Sequence, residues 1–275
     1  MSVTSADIPV NFVIALNSEA RPLIEHFGLE PEQQSGRLRA FARDHVRLII
    51  SGIGQTATAT AVGYLSAMTA QEMPVWINVG VAGHPDAALG QGYLIDKLID
   101  EATQKPRYPS VSFRSPLPST TLRTVTSPQT DYPEDALYDM EGSSFFEAAT
   151  KFTDIELVSL VKIVSDNRQH PVEKITKQLL YELVKTNLEA IVDVVDKVRI
   201  LASQQDVVDD SFAKHWLSQR HASATQKLRF AGLIQRLNCL APETDAEALL
   251  RNCSDARAAI ALLEETVDAI QLKLP

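Results

Sequence analysis

Positive charge, cysteine and long apolar runs are all scarce in this chain of 275 residues. Lys and Arg number 26 against 35 Asp and Glu, for a net charge of −9, and the pI is near 5.2. That balance argues against a nucleic-acid-binding surface, which usually needs a basic face. A small-molecule substrate is the better default. The two cysteines, Cys239 and Cys253, are too few for a disulfide framework, and no CxxC metal spacing exists. They read as buried free thiols in a reducing compartment. No stretch approaches the ~20 apolar residues of a membrane span. The opening MSVTSADIPVNFVIAL lacks a positive n-region, so the expected location is cytoplasmic, with no membrane partner.

What is present is ordinary globular material. Hydrophobic residues make up 45% and charged residues 22% of the chain, enough for a core. Val10 to Leu16 is a nearly continuous apolar run whose length and β-branched content suit a doubly buried strand. Glu19 follows, with a helical pattern from Ala20 to Phe27. Leu38 to Ala42 and Val46 to Ser51 read as strands about a turn at Arg43 to His45. Gln55 to Ala70 reads as a closely packed helix, and Val75 to Val79 as a buried strand leaving through glycines. Tyr93 to Ile99 and Leu122 to Thr126 are further strand candidates, separated by a loop over 104–121. Asp139 to Lys151 reads as a helix, Leu157 to Val164 as a strand, and Pro171 to Leu201 as one long helix with a broad apolar face.

Strands alternating with helices predict a layered α/β fold. The pattern changes near Gln204. No strand signal follows, so residues 1–203 read as an α/β domain and 204–275 as a helical extension. Thr244 with Glu247 forms a capping-box pattern, and Ser254 is placed to cap the next helix. The apolar residues of this tail, among them Trp216, Leu228 and Leu237, need a surface to cover.

Several short motifs carry chemistry. SGIG, Ser51 to Gly54, is a glycine turn between strand and helix. It is either a plain tight turn or one that aims backbone N–H groups at a polar ligand. NVGVAG, Asn78 to Gly83, is a second such exit. Asp139-Met140-Glu141 opens a helix, where the dipole favours carboxylates in any case. Ser165-Asp166 ends a strand, as a cap pair or as an acid site. The histidines show no metal-ligand spacing, and His84 reads as a solvated loop residue. No metal and no cofactor is expected.

In their order, a strand leading to Glu19, then SGIG, NVGVAG, a Gly-x-Gly-Tyr-Leu-Ile strand start, DMEG and VKIVSD, these motifs resemble the nucleoside phosphorylase and nucleosidase family. The closest branch is the methylthioadenosine/S-adenosylhomocysteine nucleosidases. The resemblance spans roughly residues 10 to 200. It implies a three-layer phosphorylase/hydrolase-like fold with a central mixed sheet. It also implies hydrolysis of the N-ribosidic bond of a purine-type nucleoside, and a homo-oligomer, with a dimer favoured. Such a reaction needs an acid for the leaving base, a carboxylate for the water and another for the ribose. By likeness, Asp166 is the acid, Ser165 positions it, Glu19 holds or deprotonates the water, and Glu141 binds the ribose hydroxyls beside Met140. Ser51, Gly52, Gly80, Val81 and Lys162 join the expected substrate-binding set.

The chain also departs from the pattern. Asn78 stands where one phosphorylase branch has a phosphate-binding Arg. Val81 replaces a Ser or Thr and offers no side-chain donor. Lys162 replaces an Arg and loses its planar fork. The stretch from Thr126 to Tyr138 is too short for the family's base-binding loop and helix. Tyr132, within it, either stacks on a base or packs locally. Two alternatives therefore stand beside hydrolysis: a phosphate-dependent phosphorylase, or a nucleoside-binding protein that kept the fold and lost the chemistry.

Overall fold

The computed structural model describes residues 5–32, 38–69, 74–204 and 211–270, apart from the side chains of Ser211 and Cys239. The chain divides into two compact units, Met1–Gln204 and Gln205–Pro275.

Buried, β-branched strands build the first unit. β1 (Val10–Ile14), β5 (Val75–Gly83) and β10 (Val158–Asp166) form its centre, and every residue of β1 and β10 is buried. β1 pairs in parallel with both β4 (Val46–Ile50) and β5. β5 pairs in parallel with β10 along most of its length. β3 (Arg39–Arg43) and β2 (Glu30–Pro31) extend the sheet antiparallel beyond β4. On the other side, β10 pairs with β6 (Gly92–Asp100), β6 with β8 (Ser119–Thr124), β8 with β9 (Leu137–Asp139), and β9 returns to β5 at Gly83. Five strands, β5, β10, β6, β8 and β9, thus close on themselves, and β1, β4, β3 and β2 run out from β5 as an open sheet. β7 (Pro106–Arg107) pairs with the outer end of β6.

The two-residue period of each strand sorts its side chains onto opposite faces. Val10, Phe12 and Ile14 join one apolar cluster with Val75, Ile77 and Val79. Val13 and Trp76 join another. Helix α1 (Asn17–Phe27), α4 (Lys177–Thr186) and α5 (Leu188–Gln204) supply Leu23, Val184, Ile191 and Val195 to the first cluster. Helix α2 (Gln55–Met68) and α3 (Gly142–Ala149) supply Val62, Leu65, Phe145 and Phe146 to the second. The unit is therefore helix, mixed sheet, helix.

Several sequence expectations need correction. The helix expected over Pro171 to Leu201 is broken. Thr176 caps α4 by accepting from Leu179 N–H, and α4 ends at Asn187 before α5 begins. At the break, Asn187 Nδ2 donates to Leu183 O, 2.9 Å, and to Gly90 O, 3.0 Å, tying the turn to the glycine loop. Asp139 lies in a strand, and the helix after it starts at Gly142. Residues 106–107 and 119–121, expected as loop, belong to strands.

The second unit contains α6 (Ser211–Ser218), α7 (Ala224–Leu240), α8 (Ala246–Leu250) and α9 (Ala256–Ala269). Its apolar residues cover one another. Phe230, Leu237, Leu250 and Leu263 are fully buried, and Trp216 stacks on Phe230 with ring centroids 4.8 Å apart. Asp245 and Asp255 cap α8 and α9, not Thr244 and Ser254, because their carboxylates reach two backbone N–H groups each. Cys253 is a half-buried free thiol. Among the described residues no helix is long and apolar enough to cross a membrane.

Candidate functional site

A cavity of about 240 Å³ opens at the carboxyl ends of β5 and β10, bounded by Leu16 and Glu19 of the β1–α1 junction. Val81, Ala82 and Gly83 form one wall. Tyr138, Asp139, Met140 and Glu141 form another, with Ser165 and Asp166 beside them. Ile53, Val125, Val172, Ile175 and Leu180 supply apolar surface. Expected residues Glu19, Val81, Met140, Glu141, Ser165 and Asp166 thus meet around one space. Ser51, Gly52, Gly80, Lys162 and Tyr132 do not line it.

Glu19 is placed by its helix. At the third position of α1 its Oε2 reaches back to accept from Leu16 N–H, 2.9 Å, the carboxylate half of a capping box. Its Oε1 accepts from Val81 N–H, 3.0 Å. The side chain is nearly fully buried. Burial pushes its pKa up to about 7, against the opposing pull of the Val81 N–H, the Lys162 charge and the Leu16 N–H. A carboxylate poised there can take a proton from water near neutral pH.

Glu141 stands just before α3. Gly54 N–H donates to its Oε1 at 2.6 Å. Gly54 has φ +98°, a conformation that favours glycine, and this turns its N–H toward the site. SGIG therefore aims a backbone donor at a protein carboxylate. Burial, then the neighbouring Asp139, raises the Glu141 pKa.

Lys162 lies beneath these carboxylates and is 1% exposed. Its Nζ is 2.8 Å from Asp139 Oδ2. Burial opposes its charge, yet Asp139, Glu141 and Glu19 together hold its pKa above the ordinary value. Asp139 also accepts from Thr124 Oγ1 and from Gly142 N–H, both at 2.8 Å. Lys162 thus supports the carboxylates from behind instead of facing a ligand. Gly80 gives it room: a Cβ there would sit 3.2 Å from Lys162 Nζ, inside ordinary contact distance.

The Asp166 carboxylate accepts on both oxygens. Ser165 Oγ donates to Oδ1 at 2.5 Å, and Tyr132 Oη donates to Oδ2. Tyr132 neither lines the cavity nor offers a ring face to it. Its ring packs edge-on to Tyr138, with centroids 5.6 Å apart. Burial, then the hydrogen bond to Asp166, holds its phenol well above the ordinary value.

The other sequence candidates resolve simply. Ser51 Oγ donates to Gly52 O at 2.8 Å, so both stay within the turn. Asn78 Nδ2 donates to Val13 O, 2.8 Å, and braces β5 against β1. His84 is buried, not solvated. Its Nδ1 accepts from Asp86 and Ala87 N–H, and burial lowers its pKa. Among the described residues no cluster of three or more His, Cys, Asp or Glu side chains could hold a metal ion.

Gly54 and Gly83 also shape the site, beyond the residues expected from the sequence. Both sit inside glycine motifs visible in the sequence, but their partners, Glu141 and the Tyr132–Asp166 pair, are remote in the chain. The apolar wall residues carry no local signal.

No family model matches the sequence, and no curated protein matches it. Solved structures do match its fold. Arabidopsis thaliana 5'-methylthioadenosine nucleosidase superposes with a TM-score of 0.58 at 19% identity, over 70% of this chain and 96% of that one. The S. pneumoniae 5'-methylthioadenosine/S-adenosylhomocysteine nucleosidase, solved with a transition-state inhibitor, gives 0.55 at 18%, over 70% and 100%. The Helicobacter pylori 5'-methylthioadenosine/S-adenosylhomocysteine nucleosidase, solved with butyl-thio-DADMe-Immucillin-A, gives 0.53 at 14%, over 69% and 98%. The chain is thus a divergent example of the nucleoside phosphorylase/nucleosidase fold.

Proposed function

We propose that this cavity hydrolyses the N-ribosidic bond of a nucleoside. The observation that carries the reading is Glu19, a buried carboxylate with a pKa near 7 on the cavity wall, within the same charge network as Glu141. In the proposed reaction the bond from C1' to the base nitrogen breaks and its electron pair leaves with the base. Water adds to C1' and gives its proton to Glu19. Glu141 holds ribose hydroxyls, and its charge offsets the positive character that develops on the sugar. Met140 packs on the sugar.

Water is preferred to phosphate because, among the described residues, no Lys, Arg or His lines the cavity. Asn78 is committed to β1, and Val81 contributes only an apolar side chain and an N–H already given to Glu19. The purine bases of the ligands named for the solved neighbours are the first bases to try.

The test is release of free base from a nucleoside panel, methylthioadenosine and S-adenosylhomocysteine included, with and without phosphate. Wild type is compared with Glu19→Gln. Phosphate-independent release that collapses in the variant supports the reading. Release that requires phosphate overturns it in favour of phosphorolysis. A second reading, a nucleoside-binding protein without turnover, is favoured by the Tyr132 hydroxyl already bonded to Asp166. Calorimetric binding with no base release selects it.

A further inference from the structure

Tyr132 is held from every side. It is 2% exposed, and its φ of +42° is a left-handed conformation uncommon outside glycine. Arg168 Nη2 donates to its carbonyl at 3.0 Å. Its hydroxyl donates to Asp166 Oδ2. Gly83 leaves the space this requires. A Cβ there would stand 2.6 Å from the Tyr132 oxygen and 2.7 Å from Asp166 Oδ2. The other Asp166 oxygen accepts from Ser165. Asp166 is therefore engaged as an acceptor on both oxygens, and the phenol facing it is held in its protonated form by burial and by that same carboxylate. The phenol proton is thus committed to Asp166 Oδ2 instead of being free for a departing base.

The rest of the cavity is acidic. Glu19, Asp139, Glu141 and Asp166 line it, and among the described residues no cationic side chain does. The nearest buried cation, Lys162, is paired with Asp139. Carboxylates that line one cavity repel one another and attract a cation. Burial raises the pKa values of both Glu19 and Glu141, with the neighbouring Asp139 adding to the second.

Resting on the N-ribosidase reading, we propose that Tyr132 occupies the hydrogen-bonding position on Asp166 that a leaving base would need, and so directs the site to N-ribosides whose base is already a cation, the N-ribosylpyridinium class. A neutral purine leaves as an anion and needs a proton. A pyridinium needs none. Its C1'–N bond breaks, the electron pair cancels the charge on the ring nitrogen, and a neutral heterocycle departs. Water supplies oxygen to C1', and its proton goes to Glu19. Ribosylpyridinium and water thus become ribose, neutral pyridine and one proton held by the protein.

The experiment measures kcat/KM without phosphate for nicotinamide riboside and for methylthioadenosine, in wild type and Tyr132→Phe. The expected wild-type preference for the cation is about tenfold or more. Removing the hydroxyl frees Asp166 Oδ2 and narrows that preference by about tenfold. Wild-type turnover of methylthioadenosine at an equal or higher kcat/KM overturns the proposal and leaves the N-ribosidase reading standing. No release of either base by folded protein overturns both. An unchanged preference in folded Tyr132→Phe removes Tyr132 from the explanation. If that variant does not fold, wild-type calorimetry decides: the N-methylnicotinamide cation must bind more tightly than neutral nicotinamide, and the reverse order overturns the proposal.

Discussion

Glu19 Oε1 accepts a hydrogen bond from the backbone N–H of Val81, 3.0 Å away and 62 positions along the chain. The contact changes the meaning of the valine. Its side chain has no donor, but its main chain supplies one, and the receiver is the carboxylate proposed to activate water. Any residue with a backbone N–H can make this bond, so the apolar side chain shapes the cavity without disarming Glu19.

The pH dependence of base release follows from that carboxylate. Glu19 must be ionised to take a proton from water, so kcat/KM is expected to rise with pH and level off above about 7. Glu19→Gln should lower kcat/KM by roughly 10²–10⁴-fold and abolish that limb of the profile. A rate flat from pH 5 to 8 in wild type would remove Glu19 from the chemistry.

The same shift predicts a stability signature. Its pKa is about 7 in the folded chain against an ordinary 4.5, so the folded state binds more protons in this window. Stability falls as pH rises from about 4.5 to about 7. The full span corresponds to roughly 3 kcal/mol. Gln cannot ionise, so whatever constant cost its amide carries, the melting temperature of Glu19→Gln minus that of wild type should increase between pH 5 and pH 8. Parallel curves would count against the buried ionisable state.

Lys162 and Asp139 form a buried pair 2.8 Å apart. Lys162→Met leaves Asp139 uncompensated and is expected to cost about 3–5 kcal/mol in urea unfolding. Replacing both, as Lys162→Met with Asp139→Leu, should recover a large part of that loss. A single variant as stable as wild type would show that the pair contributes little.

Gly83→Ala places a Cβ against Tyr132 and Asp166. The expected cost is about 1–3 kcal/mol. Because two of the three closest atoms belong to the Tyr132 ring and hydroxyl, the cost should shrink in a Tyr132→Ala background. A double-mutant cycle measures this coupling, and strict additivity would refute the tight contact.

The helical unit has a core of its own, and its inside and outside can be told apart. Phe230 is fully buried and Leu228, two residues earlier, is 78% exposed. Phe230→Ala should destabilise the unit by about 3–5 kcal/mol, while Leu228→Ser should stay within about 0.5 kcal/mol. Circular dichroism of residues 205–275 tests both; equal effects would contradict the packing.

Local pattern alone determined much of this protein. β1 and β5 were legible because doubly buried strands are runs of β-branched residues. The order of the motifs, through its likeness to the nucleoside phosphorylase and nucleosidase family, marks Glu19, Val81, Met140, Glu141 and Asp166 in the sequence. Tertiary structure decided the rest, for a common reason: the deciding partners are far apart in sequence. At the end of α4, Asn187 bonds to Gly90, 97 positions away, which no helical periodicity can register. Lys162 becomes a buried support instead of a ligand contact because β10 sets it beside Asp139 and Gly80. Tyr132 could stack on a ligand or pack locally as far as its neighbours in the chain reveal. Only the approach of Gly83 and Asp166, on strands paired edge to edge, gives its hydroxyl a partner and takes its ring off the cavity wall.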